Sequence, residues 1–329
     1  MSQIQPHLVR SDAQHWTFAI LKSQLTLFNY RKRWGMIYAL ATLAGLFSIP
    51  GTFASILNSP QLFSQTVAGM VTLPLSSLFI IIGMYVFNDL VDADLDKLNG
   101  KKRPIPSGEV SKLQAWIFII STNSLGIALS LVTSNIFSLL ISLSLVSIGI
   151  MYSAPRIAFK DKFLVKTISI AVAMMLCISL GSTSYWNLNN DKNLYSTLGG
   201  IQIIYPAIML AIMVFITSPF NDVADVIGDK KAGRKTIPIV IGSENTVRMA
   251  IALAGSMIAI SWIVYFISNT GWINPLLVSL VSILTIFNMS KTLKNLSNKD
   301  YVRKQHKKSM PLHLLLQLAL ALGALLVVI

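Results

Sequence analysis

Cysteine is nearly missing from this chain. Cys177, in AMMLCISL, is the only one. No disulfide can close within the chain, and the residue reads as a small apolar filler in a helix. Charge is scarce too. Only 12% of the 329 residues are Asp, Glu, Lys or Arg, about half the share of an ordinary soluble domain. Histidine is limited to 4 residues. His7, His15 and His306 fall in polar or interfacial stretches, and His313 opens the last apolar run, where it reads as an interfacial residue. No Ser–His–Asp or Cys–His constellation stands out. Residues 1–35 lack the uninterrupted apolar core and small-residue cleavage site of a signal peptide. The stretch LVRSDAQHWTFAILKSQLTLFNYRKRW reads instead as an amphipathic N-terminal segment, residues 1–35, lying at a membrane interface ahead of a transmembrane domain over 36–329.

Apolar residues are what the chain has in excess. They make up 53% of it, with a mean hydropathy of +0.64. They come in nine runs, roughly 36–56, 67–88, 112–132, 136–153, 164–185, 202–221, 247–268, 273–290 and 311–329. At about 20 residues each, these are long enough to cross a bilayer as helices. Lipid offers no partner to an open backbone group, so helices are the form expected. The expectation is an all-α integral membrane protein of nine transmembrane helices.

The net charge of +14 would suit nucleic acid if it were spread over a surface, but its placement argues for a membrane and no nucleic acid. All of the 27 Lys and Arg except Lys192 fall before the first run or in alternate loops. That pattern puts the N-terminus and those loops on the cytoplasmic side of the cell membrane, against anionic headgroups.

The acids are concentrated. Of the 13 Asp and Glu, seven stand in two short windows, NDLVDADLD (88–96) and NDVADVIGD (221–229). Both read N-D-x-x-D-x-x-x-D, each ends an even-numbered run, and each is followed by a basic stretch, KLNGKKRPIP and KKAGRKTIPIV. This is the mark of a parallel internal duplication, two four-helix units plus a ninth helix, and membrane proteins often place their sites between such repeats. Residues three, four and seven apart share a helix face. Asp89, Asp92 and Asp96 therefore gather on one side, as do Asp222, Asp225 and Asp229. Carboxylates so close to hydrocarbon need a counter-charge. A divalent cation bridging them to a diphosphate would supply it, with the neighbouring Lys and Arg on the remaining phosphate charge. Asp94 lies off that face and has no counterpart in the second window, where Ile227 stands.

On these residues the chain resembles the UbiA superfamily of intramembrane prenyltransferases. NDLVDADLDKLNGKKRPIPSG resembles its first signature and DVADVIGDKKAGRKTIPIVIG its second, while MYSAPRIAFK (151–160) resembles the Y-S-x-P-x-x-x-K loop after its fourth helix. Ile227 departs from the Glu common before the Gly of the second signature. The resemblance implies a helix bundle around a central cavity, with a cytoplasmic cap made by the 2–3 and 6–7 loops. It implies Mg²⁺ held by Asn88, Asp92 and Asp96, with Asp89 close by, and by Asp222, Asp225 and Asp229. Arg103, Lys160, Lys230 and Arg234 are its candidates to hold diphosphate. Tyr152 and Arg156, one turn apart if that segment stays helical, would line the reaction site.

The implied reaction moves a polyprenyl group from a prenyl diphosphate donor to a lipophilic acceptor and releases pyrophosphate. With no Lys or Arg deep in any run, the acceptors that suit are a quinone precursor or an isoprenoid glyceryl phosphate. A terpene cyclase of the same superfamily would carry the same motifs and need no acceptor. A CDP-alcohol phosphotransferase would carry D-G-x-x-A-R, which is absent. A cation transporter would place its acids near the membrane midplane rather than at helix ends.

Overall fold

The computed structural model describes residues 6–48, 60–98, 101–186, 197–231, 233–268 and 271–325. The chain opens with one long helix, α1 (Pro6–Phe47), followed by α2 (Pro60–Val91) and the short α3 (Ala93–Leu98). Next come α4 (Lys112–Leu131), α5 (Ile136–Ser153), a 3₁₀ turn (Phe159–Asp161) and α6 (Val165–Trp186). The second half repeats the rhythm of α2 and α3: α7 (Thr197–Val223) is followed by the short α8 (Val226–Lys231). The chain continues with α9 (Ile237–Ile241), α10 (Ser243–Ser268), α11 (Ile273–Leu293) and α12 (Lys299–Leu325).

Among the described residues, eight stretches are long and apolar enough to cross a membrane, from Val67–Val91 on α2 to Lys299–Leu325 on α12. They coincide with the second to ninth expected runs. The first expected run, 36–56, continues beyond α1 into residues outside the described ones. The protein is an all-helical, multi-pass membrane protein.

The burial pattern is that of a bundle facing lipid. On α7, Met209, Leu210, Met213, Ile216 and Phe220 are essentially fully buried, which makes it a central helix. Phe266, Trp272 and Phe287 are more than half exposed on α10 and α11. Side chains of that size facing water would be a liability, but facing hydrocarbon they are at home.

Because lipid tails are as apolar as leucine, close backbone approach and interhelical hydrogen bonds hold such helices together. Both occur where α1 meets α6. A Cβ on Gly45 would overlap the carbonyl oxygen of Ile178, and one on Gly181 would overlap that of Thr42. Ser182 Oγ donates to the Gly45 carbonyl oxygen at 3.1 Å, and Thr42 Oγ1 reaches across to Ser77 Oγ on α2 at 2.8 Å. Gly181→Ala should therefore force the two helices apart and lower stability by about 2 kcal/mol. Thermal unfolding of the purified protein in detergent reads this directly, and an unchanged midpoint would refute the contact.

Both acidic windows sit at the C-terminal ends of long helices, α2 and α7, each followed after a brief break by a six-residue helix. Side chains from both windows line one cavity, so α2 and α7 end on the same side of the bundle.

Candidate active site

A cavity of about 440 Å³ lies beneath these helix ends. Its rim is charged and its floor is greasy, with Ile81, Met84, Leu145, Ile170, Met174 and Val214 contributing apolar surface.

The first window does not act as one unit. At about 100° per residue, Asp89 and Asp96 lie about 20° apart around the helix, whereas Asp92 lies about 60° from Asp89 toward Asn88. The structure follows this division. Asn88 and Asp92 line the cavity. Asp89 and Asp96, expected as metal-site members, instead turn into the protein, with side chains 3% and 2% exposed. Arg103 bridges them, reaching Asp89 at 2.7 Å and Asp96 at 2.6 Å. Lys101 adds a contact to Asp96 at 2.9 Å, and Arg31 of α1 makes a two-pronged pair with Asp89. Burial works against the charge on Arg31, but the Asp89 carboxylate outweighs it and holds the guanidinium pKa above its ordinary value. Arg31 and Arg103 both line the cavity, so the two buried aspartates hold cations at its wall.

The loop that delivers Arg103 is built to do so. Ile105 and Val110 are buried, the Val110 amide donates to the Pro104 carbonyl at 3.0 Å, and Gly108 makes the reversal at φ +81°, where a side chain would be strained. Ser111 then caps α4 in a reciprocal box with Gln114.

In the second window Asp222, Asp225 and Asp229 all line the cavity, together with Asn221. Every lining carboxylate is paired with a cation. Asp92 meets Lys160 at 2.6 Å, and Asp222 meets Lys166 at 2.6 and 2.7 Å. Asp229 meets Arg234 at 3.5 Å, and Asp225 meets Arg303 of α12 at 3.0 Å. Arg234 also reaches Asp161 at 3.3 Å, which ties the loop after α8 to the 3₁₀ turn. Among the described residues, no three His, Cys, Asp or Glu side chains stand close enough to hold a metal by themselves.

Two expected site residues are placed elsewhere. The helix that carries Tyr152 ends at Ser153, and Ala154 turns to ψ 128° ahead of Pro155, as the residue before a proline prefers. The one-turn relation of Tyr152 to Arg156 is therefore lost: Tyr152 lines the cavity, while Arg156 is exposed and outside it. Lys230, one residue past Asp229 on α8, projects about 100° around the helix from it and is exposed. Asp94 is solvated and meets only Lys112, at 3.3 Å.

The structure adds residues that spacing did not bring forward. Lys166, Lys101 and Arg31 join the cavity wall. Trp34 stacks on Tyr85 with ring centroids 5.7 Å apart, and the Arg31 guanidinium lies 5.4 Å from the Tyr85 centroid. His313, read as interfacial, is 6% exposed and buried in the bundle. Its Nε2 lies 2.9 Å from Thr217 Oγ1. The signal for it was available: seven residues separate it from His306, two turns on one helix face.

The model for the UbiA prenyltransferase family matches residues 38–315. Curated relatives include the digeranylgeranylglyceryl phosphate synthase of Ignicoccus hospitalis, 24% identical over 79% of this chain and 83% of the relative. The enzyme of the same name from Saccharolobus solfataricus is 30% identical over 56% of this chain and 61% of the relative. Among solved structures, a digeranylgeranylglyceryl phosphate synthase superposes with a TM-score of 0.66 at 22% identity, covering 93% of this chain and 98% of the other. A UbiA homologue from Archaeoglobus fulgidus bound to DMAPP and Mg²⁺ superposes with a TM-score of 0.60 at 22% identity, over 92% and 97%.

Proposed function

The chain belongs to the UbiA prenyltransferase family and is a prenyltransferase; from that premise we propose that it moves a polyprenyl group from a prenyl diphosphate to an isoprenoid glyceryl phosphate, releasing pyrophosphate. The observation that carries this reading is the cavity itself. Two acidic helix ends and six cations (Arg31, Lys101, Arg103, Lys160, Lys166 and Arg234) face one another over an apolar floor. A diphosphate suits the rim and a hydrocarbon tail suits the floor. The names of the relatives point to the glyceryl phosphate acceptor.

The donor set fits magnesium. Asn88, Asp92, Asp222, Asp225 and Asp229 offer hard oxygens from two sides, but never three acids close together, so phosphate oxygens and water would complete the shell, as Mg²⁺ prefers. Bound there, the ion would neutralise charge on the leaving diphosphate. Arg103, Lys160 and Arg234, with Lys166 and Lys101, hold the diphosphate and stabilise the charge it gains as the allylic carbon–oxygen bond breaks. Trp34, Tyr85 and Tyr152 present aromatic surface to the positive carbon, and the apolar walls keep water from it. The mouth faces the cytoplasm. The first part of α1 lies along the interface, where Trp16, Phe18, Leu21 and Leu25, each more than half exposed, meet lipid.

The test uses purified protein in lipid with Mg²⁺ and geranylgeranyl diphosphate. Pyrophosphate release should depend on an added isoprenoid glyceryl phosphate and give a product one prenyl unit heavier. Chelation by EDTA should abolish release, and Mg²⁺ should restore it. Release without any acceptor, yielding a cyclic hydrocarbon, would instead make the protein a cyclase.

A further inference from the structure

Below the charged rim, α12 carries a polar stripe that the diphosphate machinery does not use. His306 and His313 line the cavity from this helix. Thr217, the partner of His313, precedes Asp222 by five residues on α7, about 7.5 Å along the axis. His313 therefore sits where the charged rim gives way to the apolar floor.

Its hydrogen bonds fix its tautomer. The Thr217 hydroxyl has one proton, and the Met213 carbonyl oxygen accepts it at 2.8 Å. Toward His313, Thr217 can then offer only a lone pair, so the imidazole Nε2 at 2.9 Å is the N–H. In the neutral ring, Nδ1 is then a bare acceptor. That nitrogen is buried and has no partner among the described residues. One turn further along the same face, Gln317 donates its Nε2 to the Ile37 carbonyl oxygen at 3.1 Å, leaving Oε1 buried and unpartnered as well. Ile37 lines the cavity. Leaving a buried acceptor unpaired costs about 1–3 kcal/mol, and here two occur one helical turn apart. What they lack is a hydrogen-bond donor, and the hydroxyl group of an alcohol is one.

Building on the transferase reading above, we propose that His313 is a catalytic residue of the transfer step: its Nδ1 takes the proton of the acceptor's hydroxyl group. In that step the bond from the allylic carbon to the diphosphate oxygen breaks, and its electron pair leaves with pyrophosphate. The hydroxyl oxygen of the acceptor bonds to that carbon and gives up its proton to Nδ1. The imidazolium keeps its Nε2–H on Thr217, which acts as a positioning residue, and later passes the extra proton to water at the cavity mouth. With the alcohol of an isoprenoid glyceryl phosphate as acceptor, the bond made is an ether.

The test measures prenylated product formed per pyrophosphate released, with an isoprenoid glyceryl phosphate as acceptor and protein reconstituted in lipid. His313→Gln retains an N–H to offer Thr217, but its amide oxygen is not basic enough to take the proton. It should lower that ratio on the order of 100-fold and leave the KM for the donor unchanged. Thr217→Val, which frees the ring, should lower the ratio by a smaller factor at the same donor KM. If His313→Gln no longer binds the donor, Thr217→Val decides, and a wild-type ratio there overturns the proposal. A ratio within twofold of wild type in His313→Gln overturns it too, and would leave the two acceptors to a trapped water. Wild-type protein that releases pyrophosphate without prenylating the alcohol overturns the transferase reading and the role of His313 with it.

Discussion

Asp92→Asn should cut prenyl transfer on the order of 1000-fold while leaving the protein folded in the membrane. Asp92 is the only acid of the first window that lines the cavity, and its side chain is 16% exposed. The amide keeps the shape but loses the negative charge that a divalent ion and Lys160 both need. Lys160 loses a counter-charge at 2.6 Å, but the amide oxygen of Asn can still accept its hydrogen bond, so the melting midpoint should fall only modestly. The measurement is initial-rate transfer at saturating donor, with a thermal melt on the same preparation. Asp94→Asn, at a side chain 87% exposed, is the control and should behave as wild type. Activity of Asp92→Asn within tenfold of wild type would sink the assignment of the first window to the metal.

Arg103→Ala should do the reverse and act first through stability. Its guanidinium is shared by two carboxylates that are almost wholly out of contact with solvent. Removing one partner from a buried charge cluster leaves charge uncompensated, at a cost of about 3–5 kcal/mol. Arg31 and Lys101 remain on Asp89 and Asp96, so the low end of that range is expected. Adding Asp96→Asn to Arg103→Ala leaves Asp89 paired with Arg31 and only the half-exposed Lys101 without its acid, and should restore part of the stability. Activity should stay low in this double variant, because Arg103 also lines the cavity. Recovery of transfer along with stability would show that Arg103 serves only the fold.

These two residues also mark how far sequence reasoning reaches. Apolar run length placed seven spans to within a few residues, because a helix must be about 20 residues long to cross the bilayer. The acidic windows announced themselves because unpaired carboxylates next to hydrocarbon require a reason. What spacing left unresolved was the division of labour within the first window. Asp89 and Asp92 belong to one helix face in any wheel, and only the placement of Arg31, from α1, and Arg103, from a folded loop, decides that Asp89 turns inward. Lys166 was taken for a loop charge because its partner Asp222 lies 56 residues away. Arg156 was put at the site on the assumption of a helix that Pro155 ends. His313 looked interfacial because it opens an apolar run, but the helix begins at Lys299, twelve residues before that run, which carries the histidine inward.

The hydrogen bond from Gln317 to the carbonyl oxygen of Ile37 spans 280 residues of chain. It joins the last helix to the first, and Arg303 on that same last helix reaches the second acidic window. A ribosome delivers α12 only after α1 to α11 have been made. Until then the cavity lacks one wall, both histidines and a cation on Asp225, while α1 waits in the bilayer with an edge uncovered. Membrane helices insert individually and associate afterwards, so a nascent chain can be correctly threaded through the lipid and still be chemically silent. Termination between α8 and α12 therefore yields a membrane protein with both acidic windows made but without the helix that carries His306, His313 and Arg303. Catalytic competence then waits on the docking of α12 against α1 and the second acidic window.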